Sequence, residues 1–269
     1  MNILDKIIRS KRKEVSARKK EVAITELEAS PYFERDIYSM TDSLKQKSPC
    51  AIIAEFKRRS PSKGNIFNEA EVVPVVTSYE QAGCAGISVL TDSEYFGGSL
   101  EDLKLARAAV KLPLLRKEFI IDEFQIVEAK SAGADLILLI AEVLTHQEVF
   151  QLAKFAHGLG LEVLLEMHSR DEVSKINELI SIVGINNRNL KTFEVDIDAS
   201  IRLLQDLKGD FLRISESGLS EPATVNKLSA AGFGGFLVGE NFMKTQAPGE
   251  ACAQFIAEVL HLKNRRHDF

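Results

Sequence analysis

Two lysines, three glutamates and an asparagine sit at the ends of apolar runs in this chain, and such groups held within reach of one another can move protons. Glu55 and Lys57 end the run Ile52-Ile53-Ala54-Glu55-Phe56-Lys57, Lys117 follows Leu114-Leu115-Arg116, and Glu166 follows Val163-Leu164-Leu165. Asn186 follows Val183-Gly184-Ile185, and Glu216 follows Arg213-Ile214-Ser215. Side chains two apart on a strand leave the same face, so Glu55 and Lys57 project together. The same count puts Lys117 on the face of Leu115, with Arg116 on the other. Glu166 shares the face of Leu164, Asn186 that of Gly184, and Glu216 that of Ile214. Charge on a buried face is costly to desolvate, and acid–base chemistry is a common reason to tolerate it. For any one of these residues a solvated strand edge is the alternative. For the set, the alternative is a structural ion-pair network, which predicts similar charge at the opposite strand ends, where Glu162 is the one obvious candidate.

A second pattern suits an anion. Ser60, Lys63 and Gly64 follow the first run, Ser217-Gly218 follows Glu216, and Gly239-Glu240 follows the last run. Small residues at such turns let backbone amides meet a phosphate. The same glycines also fit tight turns with no ligand at all.

These residues need elements to hold them. From Ala51 onward, apolar runs over Ala51–Phe56, Gly86–Leu90, Leu112–Leu115, Leu136–Ile140, Leu161–Leu165, Ile182–Ile185, Phe211–Ile214 and Gly235–Val238 alternate with helical patterns. The helical segments are Glu69–Ala82, Leu100–Ala109, Glu123–Ala132, Gln147–Leu159, Arg170–Leu179, Ala199–Leu207 and Glu221–Ala231. Ala-Gly at 82–83, 132–133 and 231–232 marks helix C-caps that turn straight into strands. Continuous apolar strands imply a parallel sheet covered on both faces. Eight such units fit an α/β fold of the (β/α)₈ TIM-barrel type, with active groups at the C-terminal strand ends; a doubly wound sheet is the alternative. Residues 1–48 form an N-terminal helical extension, residues 49–269 the barrel, and no linker divides residues 1–269 into more than a single domain.

Composition narrows the classes. The chain has 269 residues, is 45% hydrophobic and carries a net charge of −5, which gives no global attraction to nucleic acid or anionic membranes. The N-terminus is basic, with Lys6, Arg9, Lys11, Arg12, Lys13, Arg18, Lys19 and Lys20, yet Ile3, Leu4, Ile7 and Ile8 have helical spacing, so a solvated amphipathic helix is expected there. No apolar run approaches the roughly 18 residues of a membrane span, and no signal-peptide core is present, so a cytoplasmic protein is expected. Cys50, Cys84 and Cys252 are far apart, as are His146, His157, His168, His261 and His267, and neither set has metal-ligand spacing.

The motifs resemble those of the indole-3-glycerol-phosphate synthase family. The likeness rests on Ile53-Ala54-Glu55-Phe56-Lys57 with Ser60-Pro61-Ser62-Lys63-Gly64, on Leu90-Thr91-Asp92 with Phe96-Gly97-Gly98-Ser99, and on Leu115-Arg116-Lys117-Glu118-Phe119-Ile120-Ile121-Asp122. It continues through Glu162-Val163-Leu164-Leu165-Glu166-Met167-His168, Gly184-Ile185-Asn186-Asn187-Arg188-Asn189-Leu190, Ser215-Glu216-Ser217-Gly218 and Phe236-Leu237-Val238-Gly239-Glu240. The resemblance implies closure of 1-(2-carboxyphenylamino)-1-deoxyribulose 5-phosphate to an indole with loss of CO₂ and water. It implies Lys117 as general acid at the ketone, its pKa lowered by burial and by Lys57, and Glu166 as the catalytic glutamate of the dehydration half. Glu55 and Asn186 would orient the reacting hydroxyl and amine, while Lys57 would contact the substrate carboxylate. Phe119 would pack on the anthranilate ring, and Ser60, Arg188, Leu190 and Glu216 would line the same pocket. Ser217, Gly218, Gly239 and Glu240 would hold the phosphate. Glu118, Asn189 and Phe56 depart from the family pattern, and Arg58-Arg59 is unusually basic, with no assigned contact. No metal and no organic cofactor is implied. The partner is a small phosphosugar, with no nucleic acid or membrane, and the protein would be a monomer or weak homodimer. Phosphoribosylanthranilate isomerase is the enzymatic rival, but it needs a cysteine at a strand end, and Cys84 precedes its strand. A noncatalytic phosphate-ligand binder would leave the aimed lysine and glutamates without a use.

Overall fold

The structure is a computed structural model describing residues 3–189 and 193–264. Eight parallel strands close into a barrel: β1 Ile52–Phe56, β2 Gly86–Leu90, β3 Leu114–Lys117, β4 Leu136–Ile140, β5 Glu162–Met167, β6 Ile182–Asn186, β7 Leu212–Glu216 and β8 Gly235–Val238. Each strand pairs with its neighbours in sequence, and β8 closes on β1 through Ile52–Phe236 and Ala54–Val238. The doubly wound alternative is thereby excluded.

Alternation along the strands builds two cores. Outward residues such as Ile52, Phe56, Ile137, Val163 and Val183 pack under the helices. Inward residues fill the barrel, and the odd strands contribute Ile53, Leu115, Leu164 and Ile214 to one apolar layer. Two positions further along each of these strands stand Glu55, Lys117, Glu166 and Glu216. The top layer of the barrel interior is therefore three carboxylates and one ammonium, resting on a floor of aliphatic side chains.

Helices α1 Ile3–Glu21, α2 Ile24–Glu28 and α3 Met40–Lys47 precede the barrel. After it starts come α4 Val72–Gln81, α5 Ser93–Phe96, α6 Leu100–Ala109, α7 Glu123–Ser131, α8 His146–Gly158, α9 Ile197–Asp206, α10 Pro222–Ala231, α11 Glu240–Met243 and α12 Pro248–Asn264. Three features differ from the sequence expectation. The segment after β5 is a 3₁₀ helix over Arg170–Lys175, not a helix to Leu179, because Asn177 Oδ1 accepts the Leu179 amide and turns the chain. Strands β3, β5, β6 and β7 run one or two residues beyond their apolar runs, since β3, β6 and β7 end on polar site residues and β5 runs through Glu166 to Met167.

Helix α1 is the third difference. It is not simply solvated: Leu4, Ile7, Lys11 and Val15 are buried, and Leu4 and Ile7 join the inner core beside Phe119. Lys11, read from sequence as one of a basic crowd, is 1% exposed and binds Asp92 at 2.9 Å and Glu118 at 3.0 Å. The departure Glu118 thus points to α1, and its other partners are Thr91, Arg116 and the Phe119 amide. Arg58 is spent on Asp102 and on the Gly97 and Ala70 carbonyls, and Arg59 on the Ser93 and Glu94 carbonyls, which pins the loop after β1 to the loop after β2.

Candidate active site

The C-terminal mouth of the barrel opens into a cavity of about 290 Å³. Its centre is the Lys117 ammonium, 3.0 Å from Glu166 Oε2 and 2.5 Å from Glu216 Oε2. Glu55 faces it from β1, with Oε1 held 2.8 Å from Lys57 Nζ and Oε2 accepting from Ser88 Oγ at 3.3 Å. Asn186 Nδ2 donates to Glu166 Oε1 at 3.2 Å, and Asn186 Oδ1 accepts the Arg188 amide at 3.0 Å. Two glycines make the packing possible. A Cβ on Gly184 would lie 2.2 Å from Glu216 Oε1, and one on Gly239 would lie 2.7 Å from Glu55 Oε1.

Ionisation follows from burial set against charge. Burial alone pulls the Lys117 pKa down, but Glu166, Glu216 and Glu55 together raise it well above the usual lysine range. This reverses the lowered value expected from sequence, because the three carboxylates outweigh burial, while Lys57 pairs with Glu55. Burial pushes Glu166 up, yet Lys117 and His168 hold it well below the ordinary carboxylate range. Glu216 goes the other way. Burial, with repulsion from Glu166 and Glu55, outweighs Lys117 and raises it to about 7. Three carboxylates face two ammoniums, and the surplus negative charge makes Glu216 the carboxyl that most readily takes up a proton; its Oε1 is buried with no hydrogen-bond partner.

The opposite rim carries more charge than Glu162. Asp135 there binds Arg35 at 2.7 Å and Arg107 at 2.9 Å and also accepts the Tyr38 and Leu114 amides. Glu162 accepts from Ser39 Oγ and from the Met40 and Thr41 amides, fastening the start of α3. Each oxygen of Asp135 is matched by donors, as a structural network requires. At the mouth, by contrast, an unmatched oxygen belongs to a carboxylate, Glu216, that lines the cavity.

Around the charged centre the structure brings together almost all residues singled out from sequence. Ser60, Phe119, Arg188, Ser217, Gly218, Gly239 and Glu240 line the cavity with Glu55, Lys57, Lys117, Glu166, Asn186 and Glu216. Leu190 lies outside the described residues. Lys63 does not line the cavity; it is half-exposed and sits 3.5 Å from Glu240, where Arg188 also approaches at 3.7 Å. The turn after β7 is sharp, since Ser217 and Gly218 both take left-handed backbone angles, φ 68° and 69°. Asn187 Nδ2 secures it by donating to Ser217 O at 2.7 Å. Phe119 lies 6.1 Å from Phe96, ring centre to ring centre, forming an aromatic wall. Sequence reasoning missed the wall supplied by α1, Leu4 and Ile7; their apolar spacing was the available signal, but spacing does not say what a helix covers.

The closed parallel barrel and its charged mouth define a (β/α)₈-barrel enzyme. The family model described as indole-3-glycerol phosphate synthase matches residues 4–255. An indole-3-glycerol phosphate synthase of Bacteroides thetaiotaomicron is 48% identical over 258 residues, spanning 96% of this chain and 99% of that protein. One from Salinibacter ruber is 42% identical over 261 residues, spanning 96% of each. The chain belongs to the indole-3-glycerol phosphate synthase family, decarboxylating lyases of tryptophan biosynthesis. Solved structures share the barrel at low identity. A 3-hexulose-6-phosphate synthase from Salmonella typhimurium aligns with TM-score 0.62 at 13% identity over 78% of this chain and 99% of that one. A tryptophan synthase subunit alpha from Legionella pneumophila aligns with TM-score 0.60 at 12% identity over 84% and 97%. No described helix is long and apolar enough to cross a membrane.

Proposed function

We propose that Lys117 and Glu166 divide the proton transfers that turn 1-(2-carboxyphenylamino)-1-deoxyribulose 5-phosphate into indole-3-glycerol phosphate. The observation that carries this is the single ammonium of Lys117 held between Glu166 and Glu216 at the centre of the cavity. Ring closure places negative charge on the ketone oxygen as the aromatic carbon attacks it. An ammonium kept protonated by three carboxylates is a suitable donor, because an alkoxide is a far stronger base than an amine. The carboxylate then leaves as CO₂ and the ring regains its aromaticity.

Dehydration follows, and the hydroxyl must leave as water. Glu166, positioned by Asn186, acts on this half by giving a proton to the leaving hydroxyl, which returns it to the carboxylate paired with Lys117. Glu55 and Asn186 orient the reacting hydroxyl and amine, and Lys57 binds the substrate carboxylate while staying in reach of proton transfer. Glu216 Oε1, lacking a partner in the free protein, accepts a donor from the substrate. Phe119 and Phe96 flank the anthranilate ring, Ser60 and Arg188 complete the pocket, and Ser217, Gly218, Gly239 and Glu240 seat the phosphate. Residues 1–48 and 49–269 work as one domain, with α1 covering the mouth. We place the protein in the cytoplasm as a monomer or weak homodimer; the three buried free cysteines support a reducing compartment.

The test is to supply the carboxyphenylamino-deoxyribulose phosphate and follow indole fluorescence. Turnover by the wild type and losses of about 10²–10⁴ in kcat for Lys117→Met and Glu166→Gln are expected. Full activity in both variants would sink the role assignment.

A further inference from the structure

The reaction takes up a proton. The substrate enters with an ionised carboxylate and that group departs as neutral CO₂, so the bonding electrons stay behind and one proton must come from water in each turnover. Substrate filling the cavity shuts the direct path from solvent to Glu166, which is itself buried. A second path lies behind it. His168, two residues after Glu166 and just past the end of β5, places Nε2 3.5 Å from Glu166 Oε1 and Nδ1 3.9 Å from Glu142 Oε2. The His168 side chain is 9% exposed and neither ring nitrogen has a hydrogen-bond partner, whereas Glu142 is 19% exposed at the rim. An imidazole buried between two carboxylates, with both nitrogens uncommitted, has the form of a proton relay.

We propose that Glu142 and His168 deliver the consumed proton to Glu166. Glu142 takes a proton from water and passes it to His168 Nδ1, while the proton on His168 Nε2 moves to Glu166 Oε1. Glu142 is again a carboxylate, Glu166 is neutral and able to donate, and the ring regains its first tautomer by exchange with water once product has left. The distances are those of a resting site and shorten by small rotations of the ring and carboxylates. Charged groups near this path include Glu172, whose Oε2 is committed to the His168 and Ser169 amides, Lys117 on the far side of Glu166, and Asp5, Arg9 and Arg12, which line a groove with Glu142. Glu142, His168 and Glu172 do bring ligand-type atoms within 4.8 Å of one another, but the commitment of Glu172 to the start of the 3₁₀ helix favours a relay over a metal centre. His168 is a positioning and relay residue in this scheme and touches no substrate.

The proposal rests on the reading of Glu166 as a proton-transfer residue. Its test is steady-state kinetics of the full chain with His168→Ala and His168→Asn, with and without added imidazole. We expect kcat to fall by about tenfold or more in both with KM within about twofold, a larger solvent deuterium effect on kcat than in the wild type, and recovery of His168→Ala by imidazole but not by an inert salt. A merely structural role would not give imidazole rescue. Wild-type kcat in both His168 variants overturns the relay, and so does a loss that imidazole leaves untouched. If those variants are fully active while Glu166→Gln is dead, only the relay fails; if Glu166→Gln is itself fully active, the underlying reading of Glu166 fails.

Discussion

Glu216 meets Lys117 through Oε2 at 2.5 Å while its other oxygen is buried without a partner above Gly184. One carboxylate thus supplies an ion pair on one side and an unmatched acceptor on the other. That arrangement is disfavoured in the free protein, and in the proposed role of Glu216 a substrate donor relieves it, so that part of the site's stability would be given up for binding.

A pH dependence of stability follows. The Glu216 pKa in the fold, about 7, exceeds that of an ordinary glutamate, so between pH 4.5 and 7 the native state binds more protons than the unfolded chain. Stability contributed by this group is present at low pH and lost as pH rises through 7. Glu216→Gln removes the titration. Thermal unfolding at pH 5 and pH 8 should show the variant gaining about 1–3 kcal/mol relative to wild type on going to the higher pH; an unchanged difference between the two proteins would contradict the assignment.

Gly184 can become alanine only if the Glu216 carboxylate moves. The added methyl would stand 2.2 Å from Glu216 Oε1, and Leu164 Cδ1 would be 3.1 Å away. Gly184→Ala should displace the Glu216 carboxylate, lowering kcat/KM by at least about tenfold, with the far-ultraviolet circular dichroism spectrum unchanged. Wild-type kinetics would show that the Glu216 position is unimportant.

Much of this was legible in the chain. Apolar runs gave eight strands, and parity placed Glu55, Lys117, Glu166 and Glu216 on inward faces, because a strand has period two whatever surrounds it. Parity also explained why Arg116 turns outward, where it meets Gln125 and Glu128 under the helix layer. What depends on distances between elements was not legible. The direction of the Lys117 pKa depends on which carboxylates lie close, and that does not follow from spacing. Lys11 looked like one more surface cation, since burial of a lysine requires partners contributed by Asp92 and Glu118, more than eighty residues away.

Lys11 should be a stability hinge for the cover over the mouth. Lys11→Met leaves Asp92 and Glu118 buried with one fewer counter-charge, and breaking a buried pair costs about 3 kcal/mol or more. For a chain of this size the melting temperature should drop by roughly 6–12 °C. KM should also rise, because α1 carries Leu4 and Ile7 over the cavity. A melting curve and KM equal to wild type would show that α1 is held by its apolar contacts alone.

The most direct measurement separates the two halves of the reaction. Single turnover of substrate labelled in its carboxyl carbon counts CO₂ released, while indole fluorescence counts product. The proposed division predicts that Glu166→Gln releases about one CO₂ per site with little indole formed, and that Lys117→Met releases neither. Release of CO₂ by Lys117→Met at the wild-type rate, or loss of both signals together in Glu166→Gln, would contradict it.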